Sequence, residues 1–391
     1  MKKVISSAKK PIKLWLDDLE EGALEQAKHL ADLPFTFRHI ALMPDAHQGY
    51  GMPIGGVLAT EGVVVPNAVG VDIGCGMCAV QTSLQEIDQD RLKKIMGLIR
   101  KSIPVGFKHH KKAQDESFMP DSPAQAGLDA LKIVRKEYRA ALKQLGTLGG
   151  GNHFLEIQQG SDGSVWLMIH SGSRNLGYKV AHHYNKLAVE LNRKWHTSVP
   201  EKWQLAFFPL DGRKGQDYLL EMQYCVDFAQ ANRQLMMQRM QEAVVEVAGD
   251  VRFGEMINIA HNYAAMEHHF KKDVMIHRKG ATRAYKDQLG IIPGSQGTAS
   301  YIVKGRGEPE SFMSCSHGAG RRMGRKQAQK ELDLAAEQER LAAVGVIHGI
   351  RNTKDLDEAP GAYKDISVVM DNQRDLVDIQ VELRPLAVIK G

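Results

Sequence analysis

The chain has 391 residues, 43% hydrophobic and 25% charged, with 51 Lys and Arg against 46 Asp and Glu for a formal charge of +5. That composition belongs to a soluble globular protein and excludes a largely disordered chain, while the small positive balance permits a nucleic-acid partner without arguing for one. No apolar run approaches the roughly 18 residues needed to span a membrane, and the opening MKKVISSAKK lacks the apolar stretch of a secretion signal, so a cytoplasmic protein is expected.

In chain order, residues 12–30 contain an acid-rich helix, and residues 35–80 alternate apolar stretches with Gly and Pro, predicting short strands and tight loops. Residues 107–127, FKHHKKAQDESFMPDSPAQAG, lose periodicity and gain charge and proline, which predicts an exposed loop, the best candidate for a mobile segment. Helical periodicity returns at 128–145, 178–195 and 217–247, and again at 325–343, where RRMGRK opens the helix. The tail, 366–390, reads as strand-like. No internal repeat or low-complexity linker divides the chain, so residues 1–391 are expected to form one intertwined domain.

Seven glycine-rich polar blocks interrupt this scaffold: MPDAHQGYGMPIGG at 43, VGVDIGCG at 69, GGGNHFLE at 149, HSGSR at 170, HNYAAMEHH at 261, IIPGSQGTAS at 291 and SCSHGAGRRMGR at 314. Glycine beside a polar side chain marks backbone that approaches something closely or takes positive φ. Seven such blocks suggest loops converging on one site.

Asp72 and Cys75 stand three apart across Gly74 and can face one ion. A thiolate with imidazoles and one carboxylate suits Zn, Mn, Fe or Co and is poor for Mg or Ca. The bland alternative is a buried Cys75 acting as a small hydrophobe, with Asp72 capping a turn. His153, His170 and His261 each follow or begin a glycine- or Asn-containing block; singly each reads as a hydrogen-bonded core or loop residue, but with Asp72 and Cys75 they point to a transition-metal site holding one or two ions. His109, His110, His182, His183, His268 and His269 sit in charged or helical contexts and read as solvated or structural. Four cysteines in all are too few for a disulfide framework.

Arg174, Lys279, Arg321 and Arg325 place cations beside the same blocks, and guanidinium groups pair bidentately with phosphate. A solvated basic face is the competing reading, the better one for Arg325 alone. No GxxxxGK[ST] loop is present, and LDGR at 210–213 lacks the lysine of a lysine nucleotidyltransferase. A nucleotide-handling protein with these residues would need another nucleophile, for which histidine is the candidate.

The blocks VGVDIGCGM, GGGNHFLE, HSGSRNLG, ANRQ, HRKGATRA, PGSQGTASY and SCSHGAGR, in this order, closely resemble the RtcB family of GTP-dependent RNA ligases, from about residue 38 to the final IKG. The resemblance implies a single complex α+β domain and an enzyme that joins an RNA 3′-phosphate or 2′,3′-cyclic phosphate to a 5′-hydroxyl with GTP and Mn²⁺, two ions being expected. It implies that Asp72, Cys75, His153, His170 and His261 hold metal and that His317 becomes guanylylated. It places Asn152, Phe154, Glu156, Ser295, Ser300, Tyr363 and Lys390 at the guanosine nucleotide, and Arg174, Lys279, Arg321 and Arg325 near phosphate. Asp45 of MPDAH is expected either to assist proton removal or to cap its loop. Gly324 stands where many members carry Ser, which bears on RNA-end preference. The expected partner is RNA with broken ends, in the cytoplasm. A dinuclear phosphodiesterase would need the metal residues but not Glu156, Tyr363 and Lys390, and a non-catalytic RNA-end binder would tolerate loss of His317.

Overall fold

Residues 35–80 do form strands, but longer ones than their Gly and Pro punctuation predicts. In the computed structural model, which describes residues 1–121 and 130–391, Thr36–Tyr50 and Met52–Thr60 run as an antiparallel pair. Their register shifts between Leu42 and His47 and between His47 and Tyr50. Such irregularities let Pro44 and Gly49 sit in a ribbon that a regular ladder would deny them.

This pair is central to a six-stranded sheet, in the order Lys3–Ile5, Ile12–Leu14, Thr36–Tyr50, Met52–Thr60, Lys272–Lys279 and Asn262–His269. Only the pairing of Ile12–Leu14 with Thr36–Tyr50 is parallel. A seven-stranded antiparallel sheet runs Ile257–Ala260, Gly76–Gln81, Val165–Ser171, Phe154–Gly160, Val377–Lys390, Ser300–Gly305 and Leu289–Ile292. The chain passes from the second sheet to the first at His261, the single residue between Ile257–Ala260 and Asn262–His269.

Residues 217–247 lie wholly within the 36-residue helix Arg213–Ala248. Its Met236, Met237 and Met240, none more than 1% exposed, pack on Cys78, Val80, Leu167 and Ile169 of the seven-stranded sheet. Each such side chain contributes roughly 1.5–3 kcal/mol by leaving water, so the helix is fixed against the strands whose ends carry the site. The predicted helices at 128–145 and 178–195 appear as Lys132–Gln144 and Arg174–Lys194; residues 128 and 129 lie outside the described residues.

The helix expected within residues 12–30 is Glu21–Ala31, with Ile12–Leu14 taken into the first sheet. Two expectations need correction. The helix at 325–343 is broken into Arg325–Glu331 and Leu334–Ala343, since the Asp333 carboxylate accepts the N–H of Ala336 and starts a new helix. The tail begins as the helix Ile366–Asp371, capped by Asp365 on the N–H of Ser367, before the strand Val377–Lys390. Of the loop 107–127, residues 107–121 are irregular and mostly exposed apart from the turn Glu116–Phe118, and 122–127 lie outside the described residues. The elements together make one large α+β domain. Among the described residues no helix is long and apolar enough to cross a membrane, and Cys75, Cys78, Cys225 and Cys315 are buried free thiols.

Candidate functional site

Ile257–Ala260, Gly76–Gln81, Val165–Ser171 and Phe154–Gly160 are successive neighbours in the seven-stranded sheet and all antiparallel. Alternating direction brings the end of one strand beside the start of the next. His261 follows the first strand, Cys75 precedes the second, His170 closes the third save for Ser171, and His153 precedes the fourth. The N–H of His261 donates to the carbonyl of Cys75 at 2.9 Å, and Phe154 pairs with His170 in register. Residues scattered over nearly 190 positions of sequence thus share one sheet edge.

There, ligating atoms of Cys75, His170 and His261 lie within 4.8 Å of one another, as do those of Asp72, Cys75 and His153. Cys75 belongs to both groups. Its Sγ is 3.3 Å from His170 Nε2 and 3.5 Å from His153 Nε2, and the Nε2 atoms of His170 and His261 are 3.4 Å apart. His153 Nδ1–H donates to the carbonyl of Leu148 at 3.0 Å and His170 Nδ1–H to that of Asn152 at 3.2 Å, which turns each Nε2 toward the cluster. Burial drives His170 and His261 well below the usual imidazole range, so both are neutral. Nε2 of His153 lies 3.0 Å from the Asp72 carboxylate. Lone pairs crowded this closely in a buried pocket fit a borderline cation, and the softness of the set fits a transition metal. Burial, and then Asp72, push the Cys75 thiol well up in the absence of a cation.

His317 stands beside this cluster, its ring 4.8 Å from that of His261. Behind it the wholly buried Asp45 accepts the backbone N–H of His317 at 3.1 Å and its Nδ1–H at 2.6 Å. Burial would raise Asp45, but the adjoining His317, His47 and Lys364 outweigh it and hold the carboxyl below its usual range. An ionised carboxylate can only accept, so Nδ1 carries the proton that faces Asp45, and Nε2 is the ring nitrogen turned away from it. The approach of the two loops requires Gly320: with φ +73°, a Cβ there would fall 2.3 Å from the carbonyl oxygen of Asp45.

A cavity of about 200 Å³ opens in front of His317, lined by Asn152, Phe154, Glu156, His170, Ser295, Arg321, Arg325, Tyr363 and Lys390 among others. Every nucleotide residue expected from the sequence is on this wall except Ser300, which lies one layer behind: Gln158 Nε2 donates to its hydroxyl at 3.2 Å and to the Glu156 carboxylate at 2.7 Å. Burial raises Glu156 to about 8, which favours its protonated form at neutral pH.

Two phosphate candidates lie off the cavity wall. Lys279 turns its ammonium to the carbonyls of Tyr50 at 2.5 Å and Asn67 at 3.0 Å, and burial lowers it to about 7. Arg174, a non-glycine residue at φ 56°, donates through Nε to Thr147 Oγ1 at 3.1 Å. It remains close enough to Asp72 and Cys75 for their charges to offset part of the burial that lowers it. Gly149 accommodates it, since a Cβ there would meet Arg174 Nη1 at 2.1 Å and His153 Nδ1 at 2.8 Å.

Two residues of the cavity escaped sequence reasoning. Glu358, 5% exposed, accepts from Arg321 Nη1 at 3.1 Å, Arg325 Nη1 at 2.7 Å, Tyr363 OH at 2.5 Å and Lys390 Nζ at 3.0 Å. Burial would raise it, but Lys390 and the two arginines bring it down to about 2. In TKDLDEAPG it reads as one acid of a solvated run, and only the fold shows it at the centre of four groups that the sequence had singled out. His47, neutral because burial lowers it to about 4, donates its Nδ1–H to the Asp45 carbonyl at 2.9 Å and lines the cavity next to His317. Its place in MPDAH, two residues after Asp45, was the available signal.

Comparison with known proteins places these observations in a family. The family model described as tRNA-splicing ligase RtcB matches residues 26–391. The chain is 36% identical over 408 aligned residues to the RNA-splicing ligase RtcB of Escherichia coli strain K12, covering 99% of each chain. It is 32% identical to the tRNA-splicing ligase RtcB of Thermococcus kodakarensis, over 95% of this chain and 92% of that one. It is likewise 32% identical to the RNA-splicing ligase RtcB of Mycobacterium tuberculosis, over 94% of this chain and all of that one.

Proposed function

Since this chain belongs to the RtcB family and is an RNA ligase, we propose that it seals RNA 3′-phosphate or 2′,3′-cyclic phosphate ends to 5′-hydroxyl ends with GTP and Mn²⁺, through His317. The observation that carries the reading is the Asp45–His317 pair, which fixes the proton on Nδ1 and presents Nε2 to a cavity bordered by the metal-competent cluster.

Asp72, Cys75, His153, His170 and His261 would hold the manganese, Cys75 being common to both groups of potential ligands. When bound, the metal neutralises phosphate charge and polarises the phosphorus under attack. His317 Nε2 forms a bond to the α-phosphorus of GTP, and the bond from that phosphorus to the bridging oxygen breaks, its electron pair leaving with pyrophosphate. Asp45 steadies the positive imidazole that results. An RNA 3′-phosphate oxygen then displaces Nε2, taking the GMP. Finally the 5′-hydroxyl oxygen attacks the 3′-phosphorus and GMP departs; a cyclic phosphate is first opened by water. Glu156 accepts from the N1–H and exocyclic amine of guanine, donors that adenine does not present together. Ser295, Asn152 and Phe154 flank the nucleotide. Arg321 and Arg325 lie where phosphate charge gathers.

Incubation with Mn²⁺ and α-labelled GTP, followed by denaturing electrophoresis, tests this. The protein is expected to take an acid-labile label that His317→Ala abolishes while keeping its bound Mn²⁺, and the variant is expected to seal RNA supplied with a 3′-guanylylated end. A labelled His317→Ala protein moves the nucleophile elsewhere, and an unlabelled parental protein that still opens cyclic phosphates favours a phosphodiesterase.

A further inference from the structure

The ANRQ block at 231–234 supplies neither a wall of the cavity in front of His317 nor a ligand atom of the cluster. It lies within the helix Arg213–Ala248, and its Asn232 and Arg233 have no exposed surface. Burying a guanidinium is costly unless its donors are engaged. Among the described residues no carboxylate accepts from Arg233, so it is not half of a buried salt bridge. Its Nη1 donates instead to the carbonyls of Gly74 and Ser171, each at 2.9 Å, and its Nε to Asn258 Oδ1 at 2.7 Å; Nη2 has no partner. The three acceptors adjoin the cluster. Gly74 precedes Cys75, Ser171 follows His170, and Asn258 lies on the strand Ile257–Ala260 that leads into His261.

Asn232 holds the loop before His153. Its Oδ1 accepts the N–H of Gly146 at 2.7 Å and of Thr147 at 3.1 Å, and its Nδ2 lies 3.2 Å from the carbonyls of Thr147 and Gly172 and from Ser171 Oγ. Ser171 Oγ in turn donates at 2.7 Å to the carbonyl of Leu148, the same one that accepts the Nδ1–H of His153. The helix backbone joins in directly: a Cβ on Gly74 would fall 2.8 Å from Val226 Cα, so the turn carrying Asp72 and Cys75 rests on it.

We infer that Asn232 and Arg233 are positioning residues for the metal cluster, gripping the backbone beside Cys75 and His170 and the loop that orients His153. The inference rests on the metal reading above and adds what keeps the ligands at their spacing. Cys75 and His153 each stand just before a strand rather than within one, so the sheet ladder alone does not fix them. Hydrogen bonds from a helix anchored on that sheet by its methionines supply the missing constraint.

Arg233→Lys keeps a cation but lacks the planar fork that reaches several acceptors at once, and Asn232→Ala removes the amide. In each variant the affinity for Mn²⁺, followed by electron paramagnetic resonance of the free ion, is expected to weaken about 10–100-fold, as when a partner behind a metal ligand is lost. Co²⁺ gives a second readout, its thiolate absorption being expected to shift. Labelling of His317 from GTP should fall at limiting Mn²⁺ and recover when Mn²⁺ is raised, a rescue that loss of folded protein would not show. Met240→Ala, buried farther along the same helix, is the control for stability and is expected to lower the unfolding midpoint while keeping both metal readouts. Parental Mn²⁺ affinity and cobalt absorption in both site variants overturn the inference. So does an equal loss in Met240→Ala, which would trace the effect to stability, and so does failure of both site variants to fold, which would make the pair part of the core alone. A parental protein that binds neither ion overturns the metal reading itself, a result distinct from these.

Discussion

The Asp45 carboxylate and the His317 imidazole, 272 residues apart in sequence, meet at 2.6 Å in a place with no exposed surface on the Asp side. The contact determines which ring nitrogen can act. Asp45→Asn keeps the volume but can turn an amide N–H toward Nδ1, shifting the proton to Nε2. The rate of His317 labelling by GTP is then expected to fall on the order of a thousandfold or more, as in other histidine sites that lose their orienting carboxylate. Circular dichroism should confirm an intact fold. A variant labelled at the parental rate would show that Asp45 only caps its loop.

Cys75 is common to both groups of potential ligands, so its loss touches both at once. Cys75→Ser replaces a soft thiolate with a hydroxyl that seldom ionises, and bound Mn²⁺ measured by atomic emission is expected to drop together with ligation. Cys78 supplies the control. It is fully buried three residues on and packs with the helix Arg213–Ala248 rather than with the histidines. Cys78→Ser is expected to cost about 1–3 kcal/mol of stability, for an apolar contact replaced by a hydroxyl, while metal content holds.

The raised Glu156 carboxyl makes a pH prediction with a definite sign. Its ordinary value of 4.5 rises to about 8 through burial, so between these the folded protein keeps a proton that the unfolded chain releases. The group's contribution to stability is therefore present below 4.5 and is lost as pH rises toward about 8. Glu156→Gln does not titrate, and its stability relative to the parental protein, from chemical unfolding without nucleotide, should increase across that window. The proposed guanine recognition calls for the ionised form, so GTP binding near neutral pH is expected to release a proton, detectable by calorimetry in buffers of different ionisation enthalpy. Binding without release would mean that the neutral carboxyl reads the base.

Removing Glu358 strands the four groups gathered on it. Glu358→Ala is expected to lose about 3 kcal/mol of stability, because breaking one partner of a buried ionic cluster leaves the others uncompensated. Glu358→Gln keeps the shape and several of the hydrogen bonds and should lose less. In both, the KM for GTP should change more than the rate at saturation if, as proposed, Lys390, Tyr363 and the arginines act on nucleotide binding. A change confined to the rate would place Glu358 nearer the reacting atoms than the structure does.

Much of the site was legible in sequence because its chemistry is local. Asp72 and Cys75 sit in one turn, the SHGAGR block combines His317 with glycines that only a close approach explains, and Glu156 shares a block with Asn152 and His153. The long amphipathic stretch inside Arg213–Ala248 was equally plain, since a period of 3.6 over many turns has no competing reading. Strand lengths, the early helix in the tail and the break before Leu334 were not, because bulges and caps override periodicity over a few residues. Only the tertiary structure could put His261, His170, Cys75 and His153 on one edge, since antiparallel neighbours that alternate in direction need not follow one another in the chain. It alone also placed Asp45 on Nδ1 of His317, gathered Arg321, Arg325, Tyr363 and Lys390 on Glu358, and turned Lys279 toward backbone carbonyls. A side chain's charge is written in the sequence, but what it neutralises depends on which distant segment folds against it.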